Sequence, residues 1–414
     1  MDYLNFFGKI RFIGAIFFLC VLNNLYGQQF PVYRIDPAKA YGGAIADYFE
    51  NVEYIPLETT KESLFGQVSD LIVTDSSYVI NDFDTNAIFF FDTKGAFLTK
   101  YNIKGANLYH KISFDKNNNV ILLTIYDNRL DKKSFTALSL KGKILRSIND
   151  FFQGDQFTSL SDSFYIVSNS CMTINDAPAT DSLYSLLSVY KGDSLYKLFL
   201  PYRQNENLGL CNIGVSIILP GISDSGSIYV ATPLEHKLFK VTKDTATMIG
   251  SFIFPMNRSL PPKTIYSDDK KFVDSLYPKV DEYNTILGVS NIYFINQYLF
   301  FKINTRAFKS FVGSEGRFLY NFIYDLKTNK LISLERITPD DQSYFLPILG
   351  NTSHINGLVI MGKYLYSDIS SLLMFDAKDR TKYKNPQYPP VLQEYFKTQS
   401  RKSNPVIVRM KLKE

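Results

Sequence analysis

The chain has no tryptophan, and only three cysteines and three histidines among its 414 residues. His110, His236 and His354 are far apart and none falls in a His-x-x-His spacing; Cys-x-x-Cys does not occur either. Zinc sites usually need such spacings, so no metal is expected. A Gly-x-Ser-x-Gly elbow and a Gly-rich phosphate loop are also missing. That removes two widespread catalytic scaffolds, and no cofactor is expected. Runs of like charge are short and the formal net charge is only +5. A nucleic-acid surface would concentrate its cations, so nucleic acid is not an expected partner.

Long apolar runs are scarce too. Phe12–Leu22 follows Lys9 and Arg11 and precedes Gly27. This is the charge, apolar core and small-residue order of a secretory signal peptide. The run falls short of the ~20 residues that span a bilayer. Phe17-Phe18-Leu19 before Cys20 lacks the small residue of a lipoprotein site. Residues 1–27 are therefore read as a leader. The mature protein is expected to be exported to the periplasm, cell surface or medium, with no membrane span. Removing the leader takes away Asp2, Lys9 and Arg11, so +5 becomes +4.

What the chain does have is 29 tyrosines and 34 phenylalanines, mostly in short apolar runs. The organising stretch is 68–103. Val68–Thr74, Tyr78–Asp82, Ala87–Phe91 and Phe97–Ile103 are rich in aromatic and β-branched residues. Such residues suit a pleated, packed surface. Tight turns at Asp75-Ser76-Ser77 and Asp92-Thr93-Lys94-Gly95 alternate with the looser loop Phe83–Asn86.

Both turns recur in order. The first returns at Asp115–Asn119, Ser161-Asp162-Ser163 and Ser223–Gly226. The second returns at Lys141-Gly142, Lys191-Gly192-Asp193, Lys243-Asp244 and Lys327–Lys330. Asp, Asn, Ser and Gly supply turn hydrogen bonds and tolerate positive φ. A repeated four-stranded unit of this length is one blade of a β-propeller.

The units fall at about 68–103, 109–149, 157–200, 213–254, 286–337 and 355–413. The last lacks a fourth strand, and Val52–Leu57 has no blade of its own. The fold expected is all-β: a six-bladed β-propeller with four antiparallel strands per blade. Val52–Leu57 joins the C-terminal blade beside Pro405–Leu412 and closes the ring, removing its open edges. Small helical insertions are expected in 261–283 and at Val391–Lys397. No Pro/Gly/Ser-rich linker divides 28–414, so one domain and a monomer are expected.

The blade pattern resembles the NHL-like and TolB-like six-bladed propellers of secreted bacterial proteins. The resemblance rests on Val52–Thr59 with Leu64-Phe65-Gly66, on Ile80-Asn81-Asp82 with Ile88–Gly95, and on Asn404–Lys413. It departs at Lys104-Gly105-Ala106-Asn107, where that family often has a glycine-rich turn. It implies the fold and supplies no catalytic residue.

In such a ring the long loops lie at one end, and loops on a rigid scaffold usually carry function. Asn81, Asp84, Arg129, Arg203 and Arg306 are the binding candidates there. Asp70 and Asp115 are the inner-strand carboxylates, and turn roles account for them. Cys171 and Cys211 remain after leader removal, and an exported pair can form a disulfide. The expected function is a non-enzymatic binding or scaffold module whose long-loop face holds a protein or glycan. The alternative is a propeller-type hydrolase or lyase acting at the axial pocket.

Overall fold

The computed structural model describes residues 30–105, 108–127, 132–149, 156–161, 163–169, 183–203, 217, 219, 226–260, 285–305, 321–350 and 358–413. Three strands come first: β1 (Val32–Arg34), β2 (Tyr41–Ala44) and β3 (Phe49–Pro56). The short helix α1 (Ile45–Tyr48) links the last two.

Blade 1 is β4 (Asp70–Val73), β5 (Ser77–Asp82), β6 (Ala87–Asp92) and β7 (Phe97–Asn102). Blade 2 is β8 (Leu108–Asp115), β9 (Val120–Asp127), β10 (Lys132–Ser139) and β11 (Ile144–Asn149). Blade 3 is β12 (Gln156–Ser161), β13 (Phe164–Ser168), β14 (Leu183–Lys191) and β15 (Ser194–Arg203). Blade 4 holds β16 (Ser227–Ala231), β17 (Lys237–Thr242) and β18 (Ala246–Ile253). Blade 5 is β19 (Ile286–Ile295), β20 (Tyr298–Thr305), β21 (Asn321–Asp325) and β22 (Lys330–Thr338). Blade 6 is β23 (Val359–Met361), β24 (Tyr364–Ile369) and β25 (Val406–Leu412), completed by β3.

The molecule is a six-bladed β-propeller. The leading strands β4, β8 and β12 adjoin in turn, and β23 adjoins β4. Of the opening stretch expected for blade 4, Ile217 and Leu219 are described and both are buried. The expected helix in 261–283 lies outside the described residues.

Turn chemistry fixes each blade. Thr74 Oγ1 accepts from the Ser77 amide at 2.9 Å, and Asp92 Oδ1 accepts from the Lys94 and Ala96 amides at 2.8 Å each. Thr242 and Asp325 repeat this in blades 4 and 5. Between the turns, Phe89, Phe90 and Phe91 are buried. Burying such a ring contributes about 1.5–3 kcal/mol. The apolar clusters lie between blades. One joins blades 6, 1 and 2, another blades 5 and 6, a third blades 4 and 5, and a fourth blades 3 and 4.

β3 pairs antiparallel with β25, from Val406↔Pro56 to Leu412↔Phe49, and closes the ring as expected. The N-terminus does more than that. β1 lies parallel to β18 and β2 lies parallel to β22. Residues 32–56 thus strap the outer edges of blades 4, 5 and 6 in succession. At Gly42 a Cβ would stand 2.3 Å from the Arg336 carbonyl oxygen, so only glycine lets the strap lie this close.

Blade 6 also carries an insertion larger than expected. Beside the anticipated helix, α3 (Pro390–Thr398), stand α2 (Ser371–Thr381) and a 3-10 turn at Lys382–Lys384. Ser370 caps α2 by accepting from the Leu373 amide at 3.3 Å. The buried stripe of α2 is Ser371, Met374 and Ala377, too weakly apolar to mark a helix face in the sequence.

Gly95 tests the closure. Its φ is +88°, and a Cβ there would lie 2.2 Å from the Pro56 carbonyl oxygen. Gly192 is left-handed too, at +55°, with nothing within 4 Å of a Cβ. Gly192→Ala should cost about 1–2 kcal/mol, the general left-handed penalty. Gly95→Ala should cost at least about 1 kcal/mol more, because it also forces β3 outward. Urea unfolding of both variants measures the difference. Deleting residues 28–60 should abolish cooperative melting, and calorimetry reads this directly.

Candidate functional site: a polar tier on the inner strands

The second strand of each blade begins opposite the end of its third. The pairs are Ser77↔Asp92, Val120↔Ser139, Phe164↔Lys191, Ser227↔Thr242, Tyr298↔Asp325 and Tyr364↔Lys411. The next three positions are apolar or aromatic in every blade, apart from Ser367. The fifth is Asn81, Thr124, Ser168, Ala231, Lys302 and Asp368. It is polar everywhere but in blade 4. Its neighbour on the first strand is Asp70, Lys111, Gln156 or Ser290 wherever that pairing is described. The blades therefore switch from apolar to polar at one level, near the end that leads into the long loops.

In blades 1 and 2 this tier is a hydrogen-bonded network. Asn81 Nδ2 donates to Asp70 Oδ2 at 2.9 Å and to the His110 carbonyl at 3.3 Å. With its amide hydrogens spent there, Asn81 Oδ1 accepts from His110 Nδ1 at 2.8 Å. The network thereby assigns the proton to Nδ1. Nε2 is left as a buried acceptor with no partner among the described residues. Burial lowers the His110 pKa, against the pull of Asp70 and Asp82. Phe83 meets the imidazole edge-on, with ring centroids 4.8 Å apart. Asp82 serves the local backbone instead, accepting from the Gly66, Gln67 and Thr85 amides and from Thr85 Oγ1.

Blade 3 adds Ser168 Oγ and Asn169 Oδ1, buried and without partners among the described residues. In blade 5, Lys302 is buried, and burial brings its ammonium down to about 8 despite Glu335. Glu335 accepts from the Asn321 amide at 2.9 Å, from Asn321 Nδ2 at 2.8 Å and from Ser333 Oγ at 3.1 Å. Burial raises its pKa, and these bonds hold the rise back. In blade 6, Asp368 is only partly buried as a residue. Even so, burial of its carboxyl pushes the pKa up to about 7.

Lys302, Asp368, the Asp70–Asn81 pair and His110 thus sit on four consecutive blades, 5, 6, 1 and 2. Perturbed titratable groups, here Lys302, Asp368 and His110, mark a functional region more often than chance when they gather on one scaffold. The arrangement offers a cation, one carboxyl near neutrality on Asp368 and a bare imidazole nitrogen. It can bind a polar ligand by hydrogen bonds of either sense. No group of three or more His, Cys, Asp or Glu suited to a metal ion occurs among the described residues.

Of the residues singled out from sequence, Asn81 belongs to this tier. Asp84 is exposed three residues further on, accepting from Gln67 Nε2 at 3.3 Å. Arg203 ends β15 opposite Leu183. Arg129, Arg306, Cys171, Cys211 and His354 lie outside the described residues. Asp115 keeps its turn role, accepting from the Asn118 amide at 3.2 Å, and also ties blade 3 by accepting from Ser159 Oγ at 3.0 Å. Sequence reasoning missed Lys302, Glu335 and Asp368. Aligning the blades on the turns that precede their second strands would have found Lys302 and Asp368.

Asp368 yields a pH test. Its folded pKa of about 7 stands above the ordinary 3.8. The folded state therefore holds this proton more tightly than the unfolded chain. The stability it contributes is full below about pH 4 and is lost as pH rises through 7. Asp368→Asn should leave the melting temperature unchanged at pH 4 and raise it relative to wild type at pH 8. Thermal scans across that range check the sign.

Among solved structures, a Bacteroides fragilis protein provisionally named an exported protein is 13% identical. Its TM-score is 0.63, over 92% of this chain and 100% of that one. A protein of unknown function from Bacteroides caccae is 10% identical with a TM-score of 0.37, covering 64% of this chain and 80% of its own. A DUF4221 family member from Bacteroides vulgatus is 11% identical with a TM-score of 0.39, covering 88% and 98%. No curated protein matches. Residues 32–411 match the profile of DUF4934, a domain of unknown function, and the chain belongs to that family.

Proposed function

We propose that this is an exported, non-enzymatic binding or scaffold protein that holds a protein or glycan partner at the long-loop end of its axis. The observation that carries the reading is the polar tier, set at one level on a rigid apolar ring. Binding sites favour a few convergent polar groups on a preformed apolar frame. The reading includes a leader at 1–27, a monomeric ring and kinship with NHL-like and TolB-like propellers. It keeps Arg129, Arg203 and Arg306 as loop contacts and Cys171–Cys211 as a bridge. The name of the Bacteroides fragilis structure agrees with export.

One observation favours the alternative of a hydrolase or lyase. A carboxyl at about 7, as on Asp368, is suited to general acid–base work. Turnover of a glycan by the wild type, lost in Asp368→Asn with binding retained, would establish it.

Glycan arrays and pull-downs with residues 28–414 test the main reading. Lys302→Met, Asp84→Ala and Arg203→Ala should each weaken the partner found, by about fivefold or more for a lost charged contact. Lys94→Ala and Lys141→Ala, in the tight turns of the opposite end, should leave it unchanged. The reverse pattern would place the binding face at the tight-turn end.

A further inference from the structure

The insertion of blade 6 and the 339–350 crossing from blade 5 meet at the long-loop end. Tyr344 and Tyr388 bring them together, with ring centroids 6.2 Å apart. From 376 to 384 the chain carries Asp376, Lys378, Asp379, Arg380, Lys382 and Lys384. Both acids are taken: Arg401 Nε reaches Asp376 at 3.2 Å and Arg401 Nη2 reaches Asp379 at 2.5 Å. The four cations have no ion pair among the described residues. Instead Lys384 Nζ lies 4.0 Å from the Phe345 ring centroid, and Lys378 Nζ 4.8 Å from that of Phe396.

Between Lys382 and Lys384 stands Tyr383, 82% exposed. An aromatic ring this exposed gains nothing from folding. The crossing beneath is strained as well: Tyr344 and Phe345 take φ of +55° and +59° in succession. Bulky residues rarely enter that region, and such strain gathers at functional positions. Its effect here is to set Phe345 under Lys384.

We propose that Lys382, Tyr383 and Lys384, backed by Phe345, bind an acidic polysaccharide of the uronate type. This rests on the reading of the protein as a glycan binder and names the class of glycan. The apolar C–H face of a pyranose stacks on Tyr383. The sugar carboxylates accept from the ammonium groups of Lys382 and Lys384, the sequence neighbours of Tyr383, which have no ion pair among the described residues. A flat lipid surface would need a broad apolar face beside the cations, and the 382–385 segment offers a single ring, Tyr383.

The test is titration of residues 28–414 with polygalacturonate, with neutral dextran and phosphatidylglycerol vesicles as comparison ligands. Wild type should bind polygalacturonate in preference to both, and binding should fall steeply with salt. Lys382→Ala with Lys384→Ala should weaken it about tenfold or more. Lys382→Arg with Lys384→Arg should keep it within about twofold, since charge and reach are retained. Tyr383→Ala should weaken it without changing the salt dependence. All of these side chains are exposed, and an unchanged melting temperature confirms that the variants fold. Three results would overturn the proposal: no binding of the polyuronate, binding to vesicles alone, or equal binding by the double alanine variant. A partner captured by the wild type and indifferent to these changes would remove this site while leaving the binding-protein reading intact.

Discussion

Everything else in this structure depends on the pairing of Phe49–Pro56 with Val406–Leu412. A ring of sheets has no free edge at its seam only if both ends of the chain enter the same blade. That contact spans almost the whole sequence, so its loop entropy is among the largest the fold must overcome. Asn404 shows how it is secured. Its Nδ2 donates to the Glu58 and Ser63 carbonyls, its Oδ1 accepts from the Phe65 amide, and its own amide donates to Thr59 Oγ1. One fully buried side chain thus ties the C-terminal strand to the segment that runs from the N-terminal strand into blade 1. Ile55 and Leu57 then pack into the cluster shared by blades 6, 1 and 2.

The seam matters to the candidate site because the tier straddles it. Lys302 and Asp368 come from blades 5 and 6, and Asp70, Asn81 and His110 from blades 1 and 2. They share a level only if the ring is closed. The apolar rows just below shield them from water, which is why Lys302 and Asp368 depart so far from ordinary values. A small change in ring geometry would hydrate both groups and return them toward those values. Closure is therefore a condition for the chemistry as well as for stability.

How legible this was in the sequence differs from element to element. Blade 1 could be read almost to the residue, because Thr74–Ser77 and Asp92–Gly95 carry their own turn chemistry and the runs between them are apolar. Val52–Leu57 could be read as the closing strand because it had no other place. β1 and β2 could not be read. Val-Tyr-Arg and Tyr-Gly-Gly-Ala have no pattern of their own, and their partners Ser251 and Ile332 lie hundreds of residues away. α2 was hidden by its small, polar buried stripe. Within the site, Asn81 stood out as a polar residue on the long-loop side. Lys302 and Asp368 look like ordinary surface residues until the blades are laid in register, since burial is a property of the ring and not of the local sequence.

The outer rim shows the same division between backbone and side-chain control. Blades 4, 5 and 6 receive a strand from the N-terminal segment, so their outer edges are joined by backbone hydrogen bonds. Blades 2 and 3 rely on side chains instead. Arg146 of β11 meets Asp193 in the next blade's turn at 3.2 Å, and Tyr196 of β15 reaches Asp244 at 2.9 Å. These ties are exposed, and solvent screens them. The rim is thus firm over the half that holds Lys302 and Asp368 and more loosely held over blades 2 and 3. The strap and the closing strand put the strongest backbone restraint where the perturbed groups must be kept dry. Lys302, Asp368 and the blade 6 insertion consequently rest on the most constrained part of the ring.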